Sequence, residues 1–300
     1  MKLGINLLNF GPAATPDNFG KWARFAEDRG FDALMISDHV AVTLEVQSRY
    51  PAPFYDPFTL LGWLAAMTSR VEIGTTVTIL PYRHPLQTAR MAANIDVLSG
   101  GRFILGAGVG WAKQEFQALG VPFERRGAIA NECLAAIKRC WTEDVASYEG
   151  RFFSFKDVHT GPRPIRQPHP PIWIGGSSDA AMQRAVRFGD AWHPIRIRID
   201  WLRDKALPRL REIAAMEQRP VPLLCPRILV DVRSEPLPGE KRVAGQGSID
   251  QIVADLKALS DLGATCVLLD TYPGNPEDAV SLEPHWRMLD AVASRRRTLG

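Results

Sequence analysis

The stretch Val71-Glu72-Ile73-Gly74-Thr75-Thr76-Val77-Thr78-Ile79-Leu80, continued by Leu86 to Leu98, Gly100-Gly101 and Phe103-Ile104-Leu105-Gly106-Ala107-Gly108-Val109, decides the fold. Its first run is dense in Val, Ile and Thr, which pack well on a pleated surface, so Val71–Leu80 reads as a strand. Leu86–Leu98 reads as a helix, closed by the paired glycines at 100 and 101. Phe103–Val109 is apolar or glycine at every position, the pattern of a strand buried on both faces. Strand, helix and strand within the 39 residues from Val71 to Val109 make a β-α-β unit, whose helical crossover is what two parallel strands require.

The same rhythm extends in both directions. Upstream, Leu3–Leu8 is a strand, Pro16–Arg29 a helix stopped by Gly30, and Ala33–Ser37 a second strand. Downstream, strands at Ile172–Ile174, Ala191–Ile195, Leu223–Val232 and Cys266–Asp270 alternate with helices over Arg126–Trp141, Asp179–Phe188, Trp201–Met216 and Ser248–Leu262. Ser248 is placed to cap its helix, and a last helix spans Glu277–Arg295. Eight β-then-α units in 300 residues match the size of a (β/α)8 TIM barrel, an α/β fold of one domain over residues 1–300. A doubly wound open sheet is the alternative, since strand order is not written in a sequence. Three segments exceed the usual short loops: Val40–Pro57 after strand two, Trp111–Arg125 after strand four, and Thr142–Pro170 before strand five. The last contains a hairpin over Ser147–Phe155. In a barrel, loops leaving the C-terminal strand ends build the active site, so the first two belong to that rim.

Composition excludes several classes. A charged fraction of 23% and a hydrophobic fraction of 46% are those of a globular chain, not a disordered one. Net charge is +3 and the arginines are scattered, so there is no basic stripe for nucleic acid. The short run Arg295-Arg296-Arg297 reads as a solvated helix end. Cys133, Cys140, Cys225 and Cys266 form no C-x-x-C pair, which fits buried thiols in a reducing compartment. No apolar run approaches the ~20 residues of a membrane span, and the N-terminus lacks a signal peptide's apolar core. A cytoplasmic protein with no membrane partner is expected.

The chemistry gathers at strand ends. Strand two ends in Ser37-Asp38-His39, where a histidine tuned by a carboxylate suits acid–base work; a capping Asp beside a structural His is the plainer reading. In strand three, Gly74 and the hydroxyl run Thr75-Thr76 allow a flat ring to approach the backbone, although Thr and Val favour strands anyway. Strand four ends in Gly106-Ala107-Gly108-Val109-Gly110-Trp111, and Trp111 stands where a dinucleotide fingerprint needs its third glycine. Strand five ends in Gly175-Gly176-Ser177-Ser178-Asp179 before a helix, a place where exposed N–H groups and the helix dipole favour an anion, or an ordinary capped turn. No set of histidines or carboxylates has metal-ligand spacing. His159 and His169 read as solvated loop residues, and His285 as a surface residue of the last helix.

Several motifs recur in order: Ser37-Asp38-His39; Leu98-Ser99-Gly100-Gly101-Arg102; Gly108-Val109-Gly110-Trp111 with Glu115-Phe116; and Phe123 with Arg126-Gly127. Leu134 to Trp141-Thr142 follows, then Pro164 through Pro168-His169-Pro170-Pro171 to Ile172-Trp173-Ile174-Gly175-Gly176. This set resembles the bacterial luciferase-like superfamily of flavin- and deazaflavin-dependent oxidoreductases over nearly the whole chain, and looks most like its F420-dependent branch. The resemblance implies a TIM barrel with an isoalloxazine or 5-deazaflavin ring over its C-terminal mouth. It implies that Asp38 and His39 face that ring, with His39 as proton donor and acceptor or as polariser of the substrate. It implies a non-prolyl cis peptide at Thr76–Val77 backing the ring, with Thr75 and Gly108 in the same bed. Gly175, Gly176, Ser177 and Ser178 would hold a phosphate through backbone N–H groups, and Gln114 would contact the cofactor. The chain departs from the similar F420-dependent glucose-6-phosphate dehydrogenases, which have an acid where Trp111 stands and a Trp where Thr43 stands. That departure argues against a sugar phosphate, leaves His39 without its usual acidic partner, and suggests an apolar or aromatic substrate beside Trp111.

The expected function is hydride transfer between coenzyme F420 and a small organic molecule, the chemistry residing in the cofactor. The alternative is a two-component monooxygenase using reduced FMN and oxygen. A barrel that only binds flavin, or a metal-dependent hydrolase, are the remaining readings. A homodimer or larger homo-oligomer, and a reductase supplying reduced cofactor, are partners that the resemblance implies.

Overall fold

The computed structural model describes residues 1–239 and 242–295. The chain begins with β1 (Lys2–Leu7), α1 (Pro16–Asp28) and β2 (Ala33–Ile36), followed by a short α2 (Leu44–Gln47) and α3 (Pro57–Met67). α1 and α3 start alike, with Thr15 or Asp56 accepting an N–H of the first turn and proline at a position that needs no donor. Next come β3 (Glu72–Thr75), β4 (Thr78–Ile79), α4 (Pro85–Leu98), β5 (Phe103–Gly108), α5 (Lys113–Ala118) and α6 (Arg126–Thr142). β6 (Val145–Glu149) and β7 (Ser154–His159) pair antiparallel as the expected hairpin. β8 (Ile172–Gly175), α7 (Asp179–Phe188) and β9 (Ala191–His193) lead into α8 (Ile199–Trp201), which runs through a π turn into α9 (Leu207–Met216). β10 (Leu223–Leu224), β11 (Arg227–Leu229), β12 (Asp231–Val232), β13 (Gln246–Gly247), α10 (Ile249–Asp261), β14 (Cys266–Asp270) and α11 (Glu283–Ala293) complete the chain.

The main sheet is parallel, in the order β10-β9-β8-β5-β3-β2-β1-β14-β11. Strands that follow one another in the chain lie side by side, and the order has no reversal point of the kind that marks a doubly wound sheet. The two edge strands, β10 and β11, are separated in the chain only by Cys225-Pro226. Leu224 bridges Ala264 beside β14, and Arg227 bridges Ile195 beside β9, so segment 223–229 touches both neighbours and the sheet curls round on itself. The result is an α/β barrel-like fold with helices outside.

Side-chain alternation divides the core in two. Leu34 and Ile36 of β2 and Val267 and Leu269 of β14 point out to the helices, while Ala33, Met35, Cys266 and Leu268 point inward to meet Ile104, Trp173 and Cys225. Both faces are buried, which is why these strands carry no polar alternation. All four cysteines are buried free thiols, as expected. No helix among the described residues is long and apolar enough to cross a membrane.

Several expectations need correction. Strand three is not continuous over Val71–Leu80: Thr76 and Val77 leave the ladder between β3 and β4, and Leu80–Tyr82 is a 3-10 turn. Strand seven is broken at Pro226, which has no N–H to donate. The last helix starts at Glu283, not at Glu277, because residues 276–279 form a separate 3-10 turn and Pro284 fits only a first turn. His285 is buried, its ring bonded to Thr271 Oγ1 at 2.9 Å and to the Asp278 carbonyl at 2.7 Å. His169 is likewise buried, its ring 5.8 Å from that of Trp141 on α6, although much of the proline-rich connection before it is exposed. His159 is exposed as expected, while Arg296 and Arg297 of the basic run lie outside the described residues.

Candidate active site

At the C-terminal ends of β2, β4, β5 and β8 lies a cavity of about 260 Å³, lined among others by Asp38, His39, Tyr50, Thr76, Val77, Gly108, Trp111, Gly175, Gly176 and Arg227. Its bed is the break in the third strand. The Thr76–Val77 peptide is cis, and the Val77 side chain is laid across the neighbouring strands. A Cβ on Gly108 would come within 2.5 Å of Val77 Cγ2, one on Gly175 within 3.0 Å of Val77 Cγ1, and one on Gly106 within 1.8 Å of the Thr75 carbonyl. The glycines of β5 and β8 are there because the valine needs their space.

His39 stands at one side of this bed. Its Nδ1 lies 2.6 Å from Glu115 Oε2, and both residues are buried. The same carboxylate accepts the N–H groups of Val40 at 2.6 Å and Ala41 at 2.9 Å on Oε1, and the Tyr82 hydroxyl at 2.8 Å on Oε2. Burial pushes the Glu115 carboxyl up, but hydrogen bonds from His39, Ala41 and Tyr82 outweigh it and hold its pKa below the usual carboxylate value. Burial and the neighbouring Glu115 charge push the Tyr82 phenol far up, so Tyr82 stays a neutral donor. With Nδ1 committed to Glu115, no hydrogen bond among the described residues engages His39 Nε2. Position 111 carries no acid, but His39 has an acidic partner of another origin: Glu115, four residues beyond Trp111, reaches it from α5.

Asp38 is tied down. Arg83 approaches both its oxygens, at 2.7 and 2.9 Å, and the Ile79 N–H donates to Oδ2 at 2.8 Å. This pair pins β4 to the end of β2, and Arg83 extends the network to Asp56 at 3.0 Å.

A second polar network lies across the bed from His39. Arg227 donates to the Thr76 carbonyl at 2.7 Å and to Asp270 at 2.7 Å, and Asp270 accepts the Asn6 amide at 3.0 Å. His193 Nε2 meets Thr76 Oγ1 at 2.9 Å, and its Nδ1 makes a short contact with the Cys225 carbonyl. Complete burial, against the help of that carbonyl and with Arg227 nearby, pushes His193 down to about 4.

Beyond Gly176, whose φ of 108° requires glycine, the chain turns into α7. Ser178 caps that helix, its hydroxyl accepting the Ala181 N–H at 3.3 Å. Ser177 and Ser178 are exposed, and their N–H groups have no acceptor among the described residues. Ser177 opens onto a second cavity of about 470 Å³, lined by Arg196, Arg198, Lys205 and Trp201 and sharing Ile195 with the first.

The structure thus gathers Asp38, His39, Thr76, Val77, Gly108, Gly175 and Gly176 round one cavity, with Ser177 on its neighbour. Thr75 lies behind the bed, its hydroxyl donating to the Gly106 carbonyl at 2.7 Å. Gln114 is turned away, pairing with Glu45 through its side-chain oxygen at 3.2 Å and its N–H at 2.8 Å, and it ties α5 to α2. Sequence reasoning missed Glu115 as a partner, and Tyr82, Arg227 and His193 altogether. Each reaches the mouth from a different part of the chain, and only Glu115 stood within a quoted motif.

The sequence profile described as luciferase-like monooxygenase matches residues 1–235. An F420-dependent glucose-6-phosphate dehydrogenase of Kineococcus radiotolerans is 34% identical over 215 residues, 68% of this chain and 62% of the relative. An FMNH2-dependent dimethylsulfone monooxygenase of Pseudomonas putida is 31% identical over 202 residues, 62% of this chain and 52% of the relative. Among solved structures, the monooxygenase RslO1 from Streptomyces bottropensis shares the fold with a TM-score of 0.80 at 22% identity, over 99% of both chains.

Proposed function

Because the chain belongs to the luciferase-like monooxygenase family, we propose that it holds a flavin-type ring on the Thr76–Val77 bed and passes hydride between coenzyme F420 and a small organic molecule. The observation that carries this reading is the bed itself: Val77 spread over Gly108 and Gly175, with the buried His39–Glu115 pair at its side. The two glycines let Val77 lie low across β5 and β8, and the cavity above it is left for a flat ring. When bound, the cofactor supplies two-electron hydride chemistry at C5 of its ring. His39 Nε2 takes a proton from, or gives one to, the oxygen of the organic partner. Glu115 holds the imidazole by Nδ1 and stabilises its charged form. Arg83 neutralises Asp38, which acts by fixing the strand end beside the ring. Gly175, Gly176 and the free N–H groups of Ser177 and Ser178 are the site for the cofactor phosphate, and the trough beyond them, where Arg196, Arg198 and Lys205 stand beside Asp200 and Asp204, gives an anionic tail its cations.

The buried acid–base pair favours F420 with an alcohol or carbonyl partner, since hydride exchange at such a carbon moves one proton at oxygen. Reduced FMN with oxygen is the second reading, supported by the similarity to the Pseudomonas putida monooxygenase. Titrating the protein with F420 and with FMNH2, followed by absorbance, tests both. Millimolar F420 dissociation constants would remove the first reading.

We further read the sheet as an eight-stranded barrel, counting β3 with β4 and β10 with β11 as single strands, in one domain. A homodimer or larger homo-oligomer, a separate reductase and a cytoplasmic location belong to the same reading. Light scattering in solution tests the first of these.

A further inference from the structure

We infer that Asn9 is a positioning residue for His39: one buried side-chain amide fixes both the strand end that carries the histidine and the loop that carries the aromatic rings around it. This rests on the reading of His39 as the proton-exchanging group beside a flavin-type ring.

Asn9 follows β1, is fully buried and does not line the cavity. A side-chain amide has two hydrogens and an acceptor oxygen, and here all are used. Nδ2 donates to the Ser37 carbonyl at 2.9 Å and to the Tyr55 carbonyl at 2.8 Å, and Oδ1 accepts the Ser37 N–H at 3.2 Å. The Asn9 carbonyl accepts the Tyr55 N–H at 2.9 Å. One residue is thus bonded to two segments that lie well apart in the chain.

Both segments bear on His39. Ser37 is the first residue beyond β2, so gripping its N–H and its carbonyl together sets where the chain leaves the strand. From there Arg83 and Ile79 hold Asp38, and Glu115 holds the N–H groups of Val40 and Ala41. The other segment carries Tyr50 and Phe54, which form a wall: their ring centroids both lie 5.3 Å from that of His39. The residues after Asn9 continue the grip on this wall. Phe10 bridges Phe54 in antiparallel register and stacks on it at 5.3 Å. The Gly11 N–H is shared by the carbonyls of Pro51 and Pro53, at 2.9 and 2.8 Å.

The chemistry at position 9 asks for an amide. Aspartate would keep the shape and an acceptor for the Ser37 N–H, but its carboxylate has no hydrogen for the two carbonyls it faces. Alanine would leave all three backbone groups unpaired in a buried place, which costs more than the bonds contribute. Without the amide the strand end and the ring wall are no longer held to one another here, and the His39 ring loses its fixed direction over the bed.

The test uses the full chain with FMN, and with F420 in parallel. It reads the absorbance band of the bound ring and the rate at which bound FMNH2 is oxidised by dissolved oxygen after rapid mixing. His39→Ala is expected to move both. Asn9→Ala and Asn9→Asp should move both in the same direction, changing the rate by about tenfold while cofactor affinity stays within about threefold of wild type. In the His39→Ala background, Asn9→Ala should add less than about twofold, because a residue that acts through His39 has nothing left to position. Asp96→Ala is the control for stability. Asp96 is as buried as Asn9 and accepts the Ile165 and Arg166 N–H groups, at 2.7 and 3.1 Å, at the far end of the barrel. Its loss should lower the unfolding temperature and leave band and rate unchanged. Asn9→Ser, whose hydroxyl keeps one donor, takes the place of Asn9→Ala if that protein does not fold, and the same coupling is expected of it. Equal effects of the Asn9 change with and without His39, or no effect with His39 present, overturn the inference and leave the proposed function standing. A His39→Ala protein indistinguishable from wild type overturns the acid–base reading and the inference with it. Failure of the wild-type chain to bind FMN and F420 alike overturns the oxidoreductase reading itself.

Discussion

His39 and His193 both stand at strand ends on the mouth of the barrel, and both are buried, 7% and 0% exposed. Their neighbours make them opposites. His39 is hydrogen-bonded to a buried carboxylate that three further hydrogen bonds hold ionised. His193 meets a hydroxyl, a carbonyl and the field of Arg227, and its pKa falls to about 4. Burial alone makes a histidine a neutral strut; burial with an anionic partner makes it able to carry a proton. In the proposed function the two sides of the bed divide the labour, one exchanging protons and the other holding Thr76 in place.

The comparison breaks most directly at His39. His39→Ala should lower turnover by about 10²–10⁴-fold, the usual range for a general acid–base residue, while leaving cofactor affinity nearly unchanged. Steady-state kinetics beside a cofactor titration measures both. Unchanged turnover would make His39 a wall residue like Tyr50.

His193 should answer in stability. Its folded pKa of about 4 lies below the ordinary value of 6.5, so the unfolded chain binds the extra proton first as pH falls. The contribution is therefore complete above about pH 6.5, shrinks between 6.5 and 4, and amounts to about 3 kcal/mol in all. Thermal unfolding of wild type and His193→Gln across that window should converge as pH falls. Parallel curves would show that His193 is charged in the folded protein.

Glu115→Gln sharpens the contrast by taking from His39 the anionic partner that His193 lacks. Loss of one charge-assisted hydrogen bond, about 1.5–3 kcal/mol, corresponds to a fall in turnover of about ten- to a hundredfold. Steady-state kinetics beside a cofactor titration checks it: unchanged turnover would make Glu115 merely structural.

How far this was readable beforehand depends on what each feature needs. The β-α rhythm is a local pattern, and β14 over Cys266–Asp270 falls where the apolar run predicts it. Likewise Ser248 caps α10 with a full capping box, because the bonds run only from residue to residue three apart. A break that a single residue type forces, as at Pro226, is also local, since proline has no N–H for the ladder. The hidden part is whatever closes through space. Glu115 reaches His39 across 76 residues and Arg227 reaches Thr76 across 151. No spacing rule links such positions, since the winding of the barrel alone brings them together. His285 and His169 were misjudged for the same reason: their burial is decided by elements packed over them, not by their own neighbours in the chain.

The smallest effect belongs to Tyr82, which stands behind Glu115 and touches neither histidine. Tyr82→Phe keeps the ring, which packs against Phe116 with centroids 4.9 Å apart, and removes one donor from the carboxylate. Glu115 keeps the His39 ring and the Val40 and Ala41 N–H groups, so it stays ionised near neutrality and turnover should fall by less than about tenfold. Stability should drop by about 1 kcal/mol, the net worth of one hydrogen bond. Its pH dependence separates the hydrogen bond from packing. Because the folded Glu115 pKa is depressed, its contribution is present above the ordinary glutamate pKa and lost as pH falls through the folded value. The gap between wild type and Tyr82→Phe, measured by urea unfolding, should therefore be widest near neutral pH and narrow in acid. A gap that stays constant with pH would mean that the hydroxyl merely fills space beside an already satisfied carboxylate, and that the anionic partner of His39 is secured by the backbone of Val40 and Ala41 alone.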